Sequence, residues 1–393
     1  MIELVLRRID EPFRGRHGKC TVDKLELRVI WAGTAQMTKF LVHQNQKRST
    51  PMAGQPVATR IVLASRPSGK PVAANFRLER ETVRDLAEGE VLLQTLYLSL
   101  DPYMRGRMDD AKSYAKPVEI GGVMEGGTVA RIARSRNTAF KAGDIVLSHS
   151  GWQSYAISDG TDVRKLDPET APITTALGIL GMPGFTAYAG LRNIGKPKAG
   201  ETLVVAAASG AVGSAVGQMA KIYGARVVGI AGGPEKCDYI HQELGFDVAI
   251  DHHSSDFPAQ LAAACPNGID IYFENVGGHV WSAVFPLLND FARIPVCGLI
   301  AHYNEGSSVL SEGDQLPAVM RAILRKSLTI RGFIQREFAD QRPDFYHQAG
   351  AWISLGRLKY KEDIVDGLEN APEAFLGLLE GKNFGKLIVR VAP

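Results

Sequence analysis

The sequence predicts an α/β fold in which a doubly wound parallel sheet is joined to a second, mostly β domain. Residues 201–232, ETLVVAAASGAVGSAVGQMAKIYGARVVGIAG, read as strand, glycine-rich turn, helix and strand. Downstream of this stretch, strand-like and helix-like segments alternate until six strands have accumulated. Upstream, from about Ile61 to Gly178, the pattern changes to short β-rich runs broken by Gly and Pro. Parallel strands need crossover connections that lay helices on both faces, whereas short runs closed by turns suit antiparallel pairing.

Taken in order, the first fifty residues mix basic and apolar side chains without a sustained period, and KRSTPMAGQP leads from them into the body. They carry ten Lys or Arg and five Asp or Glu, which leaves 35 basic against 37 acidic residues in the rest. Residues 1–55 are therefore expected to be an N-terminal extension, disordered or not native, with Met52 just before a plausible mature start. The alternative is a targeting or tethering arm, although five acidic residues fit an organelle transit peptide poorly.

Residues 56–178 form the expected β domain, through VLASRPSGKPV, EVLLQTLYLSLDPYMRGRM, IGGVMEGGTVARI and AGDIVLSHSGWQSYAI. Residues 179–340 hold the doubly wound sheet. Its first strand is the apolar run Leu203 to Ala207, too short for a helix and suited to burial on both faces. At the turn, Ser209 and Gly210 precede Ala211, Val212 and Gly213; Gly210 lets the backbone approach a pyrophosphate, and Gly213 and Gly217 leave the helix room to pack on the sheet. Ala208 stands where the usual fingerprint has its first glycine. The remaining strands are RVVGIAG, FDVAID, IDIYFENV, ARIPVCGLI and LTIRGFI, with helices at PEKCDYIHQELG, at DFPAQLAAAC, from His279 and from Leu316. Residues 341–393 close the chain with a short helix from Pro372 and GKLIVRV, expected to return one strand to the β domain.

The dinucleotide site is expected at the carboxyl ends of the strands, where their order reverses. An NAD site usually has an Asp or Glu about 20 residues beyond the glycine turn, to bind the ribose hydroxyls. Here that place reads Ala231-Gly232-Gly233, with Lys236 at the start of the next helix. Loss of a carboxylate and gain of an ammonium favour a 2′-phosphate, and so NADPH.

Composition excludes several other classes. With 45% hydrophobic and 22% charged residues and a net charge of +3, the 393-residue chain is ordinary globular material without a nucleic-acid patch. Cys20, Cys237, Cys265 and Cys297 show no C-x-x-C pair, which speaks against a disulfide framework or a structural zinc and for a reducing cytoplasm. No run reaches the ~18 apolar residues of a membrane span.

The motifs DPYMRGRM at Asp101, IGGVMEGG at Ile120, GMPGFTAY at Gly181, AAASGAVGS at Ala206, YFENVGG at Tyr272 and GKNFGKLIV at Gly381 occur in one order over residues 60–393. In them the chain resembles the medium-chain dehydrogenase/reductase superfamily, and within it the zinc-independent prostaglandin reductase and alkenal double-bond reductase branch, most of all bacterial NADPH-dependent curcumin reductases. The resemblance implies a Rossmann NADPH-binding domain and a GroES-like substrate domain, often in a homodimer. Where zinc alcohol dehydrogenases of the superfamily carry a cysteine and a Gly-His-Glu, this chain has Leu98-Ser99-Leu100-Asp101 and Gly122-Val123-Met124-Glu125. A catalytic zinc needs about three protein ligands, so no metal is expected.

The chemistry implied is hydride transfer to the β-carbon of an enone or enal, with charge moving to the carbonyl oxygen as an enolate. By the same resemblance Tyr303, in GLIAHYN, is the oxyanion donor or proton source, and Tyr114, in SYAKP, faces it. Met182 and Thr186 line the nicotinamide face, Asn275 and Gly277 approach the pyrophosphate or nicotinamide, and Asn383 reaches the cofactor from the closing segment. Gly232 and Lys236 lie at the adenosine ribose, and His252 falls where relatives often have a cofactor-contacting tyrosine. Tyr103 and Arg105 belong to the pocket wall, with a structural ion pair as the alternative for Arg105. An NADPH:quinone reductase and a non-catalytic NADPH-binding sensor remain the competing functions.

Overall fold

The computed structural model describes residues 55–111, 113–305 and 316–392. The expected N-terminal extension lies outside the described residues.

The amino-terminal part supplies strands β1 (Val57–Leu63), β2 (Phe76–Thr82), β3 (Val91–Ser99), β4 (Thr128–Ser135), β5 (Ile145–Ser148), β6 (Tyr155–Ser158) and β7 (Arg164–Lys165). β1 and β2 pair antiparallel from Val57↔Thr82 to Leu63↔Phe76. The other five join a seven-stranded sheet in which β3 is the hub, pairing antiparallel with both β4 and β6. Its core centres on Trp152, fully buried, stacked on Phe76 with ring centroids 5.6 Å apart and met edge-on by Phe375 at 5.6 Å.

The chain then alternates through α1 (Met182–Gly190), β8 (Thr202–Ala206), α2 (Ala211–Ile222), β9 (Arg226–Ala231), α3 (Pro234–Asp238), β10 (Val248–Asp251), α4 (Phe257–Ala264), β11 (Ile269–Phe273), α5 (Gly278–Val284), β12 (Leu288–Val296), α6 (Leu316–Lys326) and β13 (Thr329–Gly332). The six strands are all parallel, in the order β10-β9-β8-β11-β12-β13. That is the doubly wound order whose reversal lies between β8 and β11. Successive residues of a strand face opposite sides, so one strand feeds two cores. Leu203 and Val205 pack with Val216, Met219 and Phe345, while Val204 and Ala206 pack with Leu261, Val280 and Val284.

Two elements differ from expectation. PEKCDYIHQELG is an α-helix only to Asp238 and continues as a wider π-type turn over Tyr239–Glu243. The strand expected at ARIPVCGLI begins earlier, at Leu288, and its pairing with β11 shifts register between Ile269 and Ile271. Phe291 in that stretch has φ +61°, a left-handed kink that breaks the alternation a sequence pattern relies on.

The closing segment supplies α7 (Arg342–Ser354), β14 (Glu362–Asp366), α8 (Ala371–Leu379) and β15 (Lys386–Arg390). As expected, β15 pairs antiparallel with β3, Ile388 opposite Ser99, and β14 extends the same sheet.

Candidate active site

Two turns meet at the sheet reversal. In the first, Ala207 takes φ +51° and Gly210 ends the turn as the residue before α2. Ser209 is buried, Ser214 N–H is the one that donates to Gly210 O at 3.0 Å, and the N–H groups of Ala211, Val212 and Gly213 are those a helix start leaves open. A Cβ on Gly213 would lie 2.3 Å from Ala207 O, so only glycine lets α2 sit this close to the turn. The cradle fits a pyrophosphate, since open N–H groups and the helix dipole both favour an anion.

The second turn, Asn275–Gly278, follows β11. Asn275 Nδ2 donates to Ala206 O at 2.8 Å and ties the two strand ends together across the reversal. Gly277 has φ +79°, and a Cβ on it would stand 2.8 Å from the His302 ring. Beneath lies Glu274, 2% exposed, whose Oε1 accepts from Val276 N (2.7 Å), Gly277 N (2.9 Å) and the Tyr272 hydroxyl (2.9 Å). Burial raises its carboxyl pKa, with those donors opposing. His302 Nε2 accepts from Gly278 N at 3.0 Å, which leaves Nδ1 to donate to Glu305 at 2.7 Å and fixes the neutral tautomer.

His302 thereby holds the loop carrying Tyr303. The Tyr303 hydroxyl accepts a long 3.4 Å contact from Leu299 N, and burial pushes the phenol up to about 12. It lines a cavity of about 400 Å³ with Cys297, Gly298, Leu299, Phe333 and Glu337, at the carboxyl ends of β12 and β13. Burial likewise pushes the Cys297 thiol up to about 12.

Tyr114 is 47% exposed. The Arg107 and Arg336 guanidinium carbons lie 4.4 Å and 5.8 Å from its ring centroid, and its carbonyl accepts from Arg336 at 2.6 Å. Burial raises its pKa. Tyr103 is half-buried beside Arg107, 5.8 Å from ring centroid to guanidinium, and burial raises its pKa too. Arg105 is 1% exposed. It pairs with Asp109 at 2.7 Å and donates to Gly69 O (2.7 Å) and to Asn304 Oδ1 (3.2 Å), next to Tyr303. Met182 opens α1, and Thr186 Oγ1, buried, donates back to Met182 O at 2.8 Å.

At the far end of the cleft Lys236 Nζ donates to Gly381 O at 2.6 Å, two residues before Asn383, whose Nδ2 donates to Gly385 O at 2.8 Å. The His252 and His253 rings, tilted 51° to one another with centroids 4.1 Å apart, lie over Gly232, and His252 Nδ1 is 3.2 Å from His279 Nε2. The carboxylates of the DPYMRGRM and IGGVMEGG motifs are engaged in ion pairs. Asp101 pairs with Lys386 at 2.8 Å, and Glu125 lies 3.3 Å from Arg107. Among the described residues there is no group of three or more His, Cys, Asp or Glu placed to hold a metal ion.

Sequence reasoning missed Glu274, His302, Cys297 and Lys386. Glu274 and His302 sit inside the motifs already singled out, but their roles depend on which backbone amides fold onto them. Cys297 was visible only as an unpaired cysteine.

Two family models match: one described as the N-terminal domain of oxidoreductase over residues 59–166, and one described as zinc-binding dehydrogenase over 211–353. The chain is 56% identical over 335 residues to the NADPH-dependent curcumin reductase of Escherichia coli K12, covering 85% of this chain and 96% of that protein. It is 42% identical over 327 residues to prostaglandin reductase 1 of Bos taurus, covering 82% and 95%. The crystal structure of CurA in complex with NADPH from Vibrio vulnificus matches with a TM-score of 0.83 and 53% identity, over 85% of this chain and 99% of that one.

Proposed function

The chain belongs to the medium-chain dehydrogenase/reductase superfamily, and from that premise we propose that it is an NADPH-dependent reductase of the conjugated C=C bond of α,β-unsaturated ketones and aldehydes, curcumin-like substrates included. The observation that carries this reading is the Tyr303 hydroxyl, held protonated by burial, at the cavity beside the Asn275–Gly278 turn.

The Ser209–Gly213 and Asn275–Gly278 turns would hold NADPH, which would supply a hydride to the substrate β-carbon. The chain's own groups then handle the charge that reaches the carbonyl oxygen. Tyr303, kept protonated by burial, donates to that oxyanion, which is worth most where water is excluded. The enolate then takes a proton from solvent at the α-carbon, which completes the saturated product, with Tyr114 facing Tyr303 across the pocket. Open N–H groups at Ala211, Val212 and Gly213 with Ser209 and Gly210 hold the pyrophosphate; Asn275 and Gly277 continue that contact; Met182 and Thr186 line the nicotinamide face. Gly232, Lys236, His252 and Asn383 flank the adenosine end. Tyr103 lines the pocket, and Arg105, through Asn304, braces it. The reading extends to a GroES-like domain over 56–178, a Rossmann domain over 179–340, a returning segment over 341–393, and a cytoplasmic homodimer; these extensions rest on the family resemblance.

The test is NADPH oxidation by the purified protein with a small aliphatic enone, NADH in parallel and mass analysis of the product. A saturated ketone formed preferentially with NADPH is expected. Hydroquinone formation from quinones without enone turnover would replace the reading with quinone reduction, and NADPH binding without turnover of either would leave a sensor.

A further inference from the structure

The loop that carries Tyr303 is laced to the Asn275–Gly278 turn one residue at a time, and the last link differs in kind from those before it. Ile300 N donates to Asn275 O at 3.2 Å and Ala301 N to Val276 O at 3.0 Å, backbone to backbone. At the next residue a side chain takes over, with Gly278 N donating to His302 Nε2 at 3.0 Å. Gly277 leaves the ring its place, since a Cβ there would stand 2.8 Å from His302 Cδ2 and 2.9 Å from Nε2. Tyr303 follows directly. On its other side Asn304 Oδ1 accepts from Arg105 at 3.2 Å. The phenol therefore stands between an arginine link, which stays charged at any working pH, and an imidazole link, which does not stay neutral.

An imidazole accepts a hydrogen bond in one protonation state only. Nε2 takes the Gly278 N–H while its lone pair is free, and a proton there would set two donors against each other. Glu305 Oε2, 2.7 Å from Nδ1, favours the imidazolium once it forms. The turn presents backbone to the ring, and beneath it Glu274 Oε1 already accepts from Val276 N, Gly277 N and the Tyr272 hydroxyl. His279, next along α5, lies with its Nε2 3.2 Å from His252 Nδ1. His302 and Glu305 side chains are both 45% exposed, so the proton can come straight from solvent. Histidine is the side chain whose charge ordinarily changes between about pH 5 and 8.

We propose that His302 is the positioning residue for Tyr303, and that enone reduction requires its imidazole neutral, because a proton on Nε2 uncouples the Tyr303 loop from the Asn275–Gly278 turn. This rests on the reductase reading above and adds the group that sets the acid limit of the reaction. Tyr303 cannot set that limit itself, since acid only keeps the phenol in its donating form.

The test is the pH profile of kcat for the full chain with a small aliphatic enone between about pH 5.5 and 8, with NADPH saturating so that titration of the cofactor's own phosphate stays out of kcat. The parent is expected to slow about fivefold to tenfold toward acid, the ordinary worth of one hydrogen bond. His302→Gln can still accept from Gly278 N and donate to Glu305, without titrating, so its profile should be flat; His302→Leu, which can do neither, should be slower than His302→Gln at the alkaline end. Glu305→Gln removes the charge that favours the imidazolium and should move the acid limb to lower pH. A flat parent profile, or an acid limb that persists in His302→Gln and so belongs to another group such as Glu274, would overturn the proposal. Nitrogen-15 NMR of the labelled full chain gives a readout free of turnover, in which the Gly278 amide should shift in step with the titration of the His302 ring. A Gly278 amide that ignores that titration counts against the coupling. A parent that reduces no enone at any pH, with the two signals still moving together, would remove the reductase reading and leave the coupling in place.

Discussion

At Tyr303 burial keeps the phenol in the state a proton donor needs. The ring is fixed by the loop that His302 anchors to Gly278, and the hydroxyl accepts a 3.4 Å contact from Leu299 N. Tyr303→Phe keeps the ring and removes the donor, so the turnover number should fall by roughly 10²-fold with little change in substrate KM; turnover within about threefold of the parent would contradict the donor role. The pKa raised to about 12 also has a signed consequence for stability. A proton bound more tightly in the folded state stabilises fully below the ordinary phenol value of 10.0, and that contribution is lost as pH climbs from 10.0 towards 12. Denaturant midpoints measured across that window should fall less steeply in Tyr303→Phe than in the parent. Lys236 offers the complementary test at the other end of the cleft. Desolvation lowers its pKa, and its Nζ donates to Gly381 O, a bond that a phosphate can supplement or replace. Lys236→Ala should raise the KM for NADPH about tenfold to a hundredfold, the value of one charge-assisted contact, with the KM for NADH unmoved.

The element that best shows how sequence becomes geometry is the β8–α2 unit. Its glycines were legible, because a helix that must press on a turn and on a neighbouring ring has room for nothing else. A Cβ on Gly217 would lie 1.9 Å from Cζ of Phe246, a side chain 1% exposed with nowhere to move. Gly217→Ala should therefore destabilise the protein by about 1–3 kcal/mol, the usual range for overpacking, read as a lower urea midpoint with unchanged slope. What was not legible is the residue that makes the turn. With Ala208 in the place of the fingerprint's first glycine, the left-handed conformation falls to Ala207 at φ +51°, and nothing in a run of three alanines marks which one bears it. Ala207→Gly should relieve that strain and raise stability by about 0.5–1 kcal/mol, the left-handed penalty of an L-residue less the extra freedom glycine has when unfolded; a loss of stability would show that Ala207 is not strained. The same limit explains β12, where the Phe291 kink at φ +61° breaks the pattern that would have placed the strand's start.

Across the whole molecule, the six parallel strands with their intervening helices and the return of the last strand were legible, because period, glycine spacing and motif order act locally. The contacts that lock the closing segment onto the rest were not, since they join residues hundreds of positions apart. Lys386 on β15 reaches Leu100 O at 2.7 Å and Asp101 Oδ1 at 2.8 Å, both partners nearly solvent-free at 5% and 8% side-chain exposure. Asp101 also accepts from the Ser99 hydroxyl at the end of β3, so the pair fastens the last strand to the central one. The same returning segment passes Gly381, where it meets Lys236, so one covalent stretch reaches from the sheet hub to the nucleotide end. An ion pair this dry is costly to break and cheap to replace, since most of the energy at stake is the desolvation of whichever charge is left alone. Asp101→Leu should cost about 3–5 kcal/mol, while Asp101→Leu combined with Lys386→Met, apolar on both sides, should recover most of it. Urea unfolding of the parent, the single and the double variant decides the matter. A double variant no better than the single one would mean that the buried Lys386 charge is not the source of the loss, and that the strand is held by its ladder with β3 and the packing of Ile388 and Val389 instead.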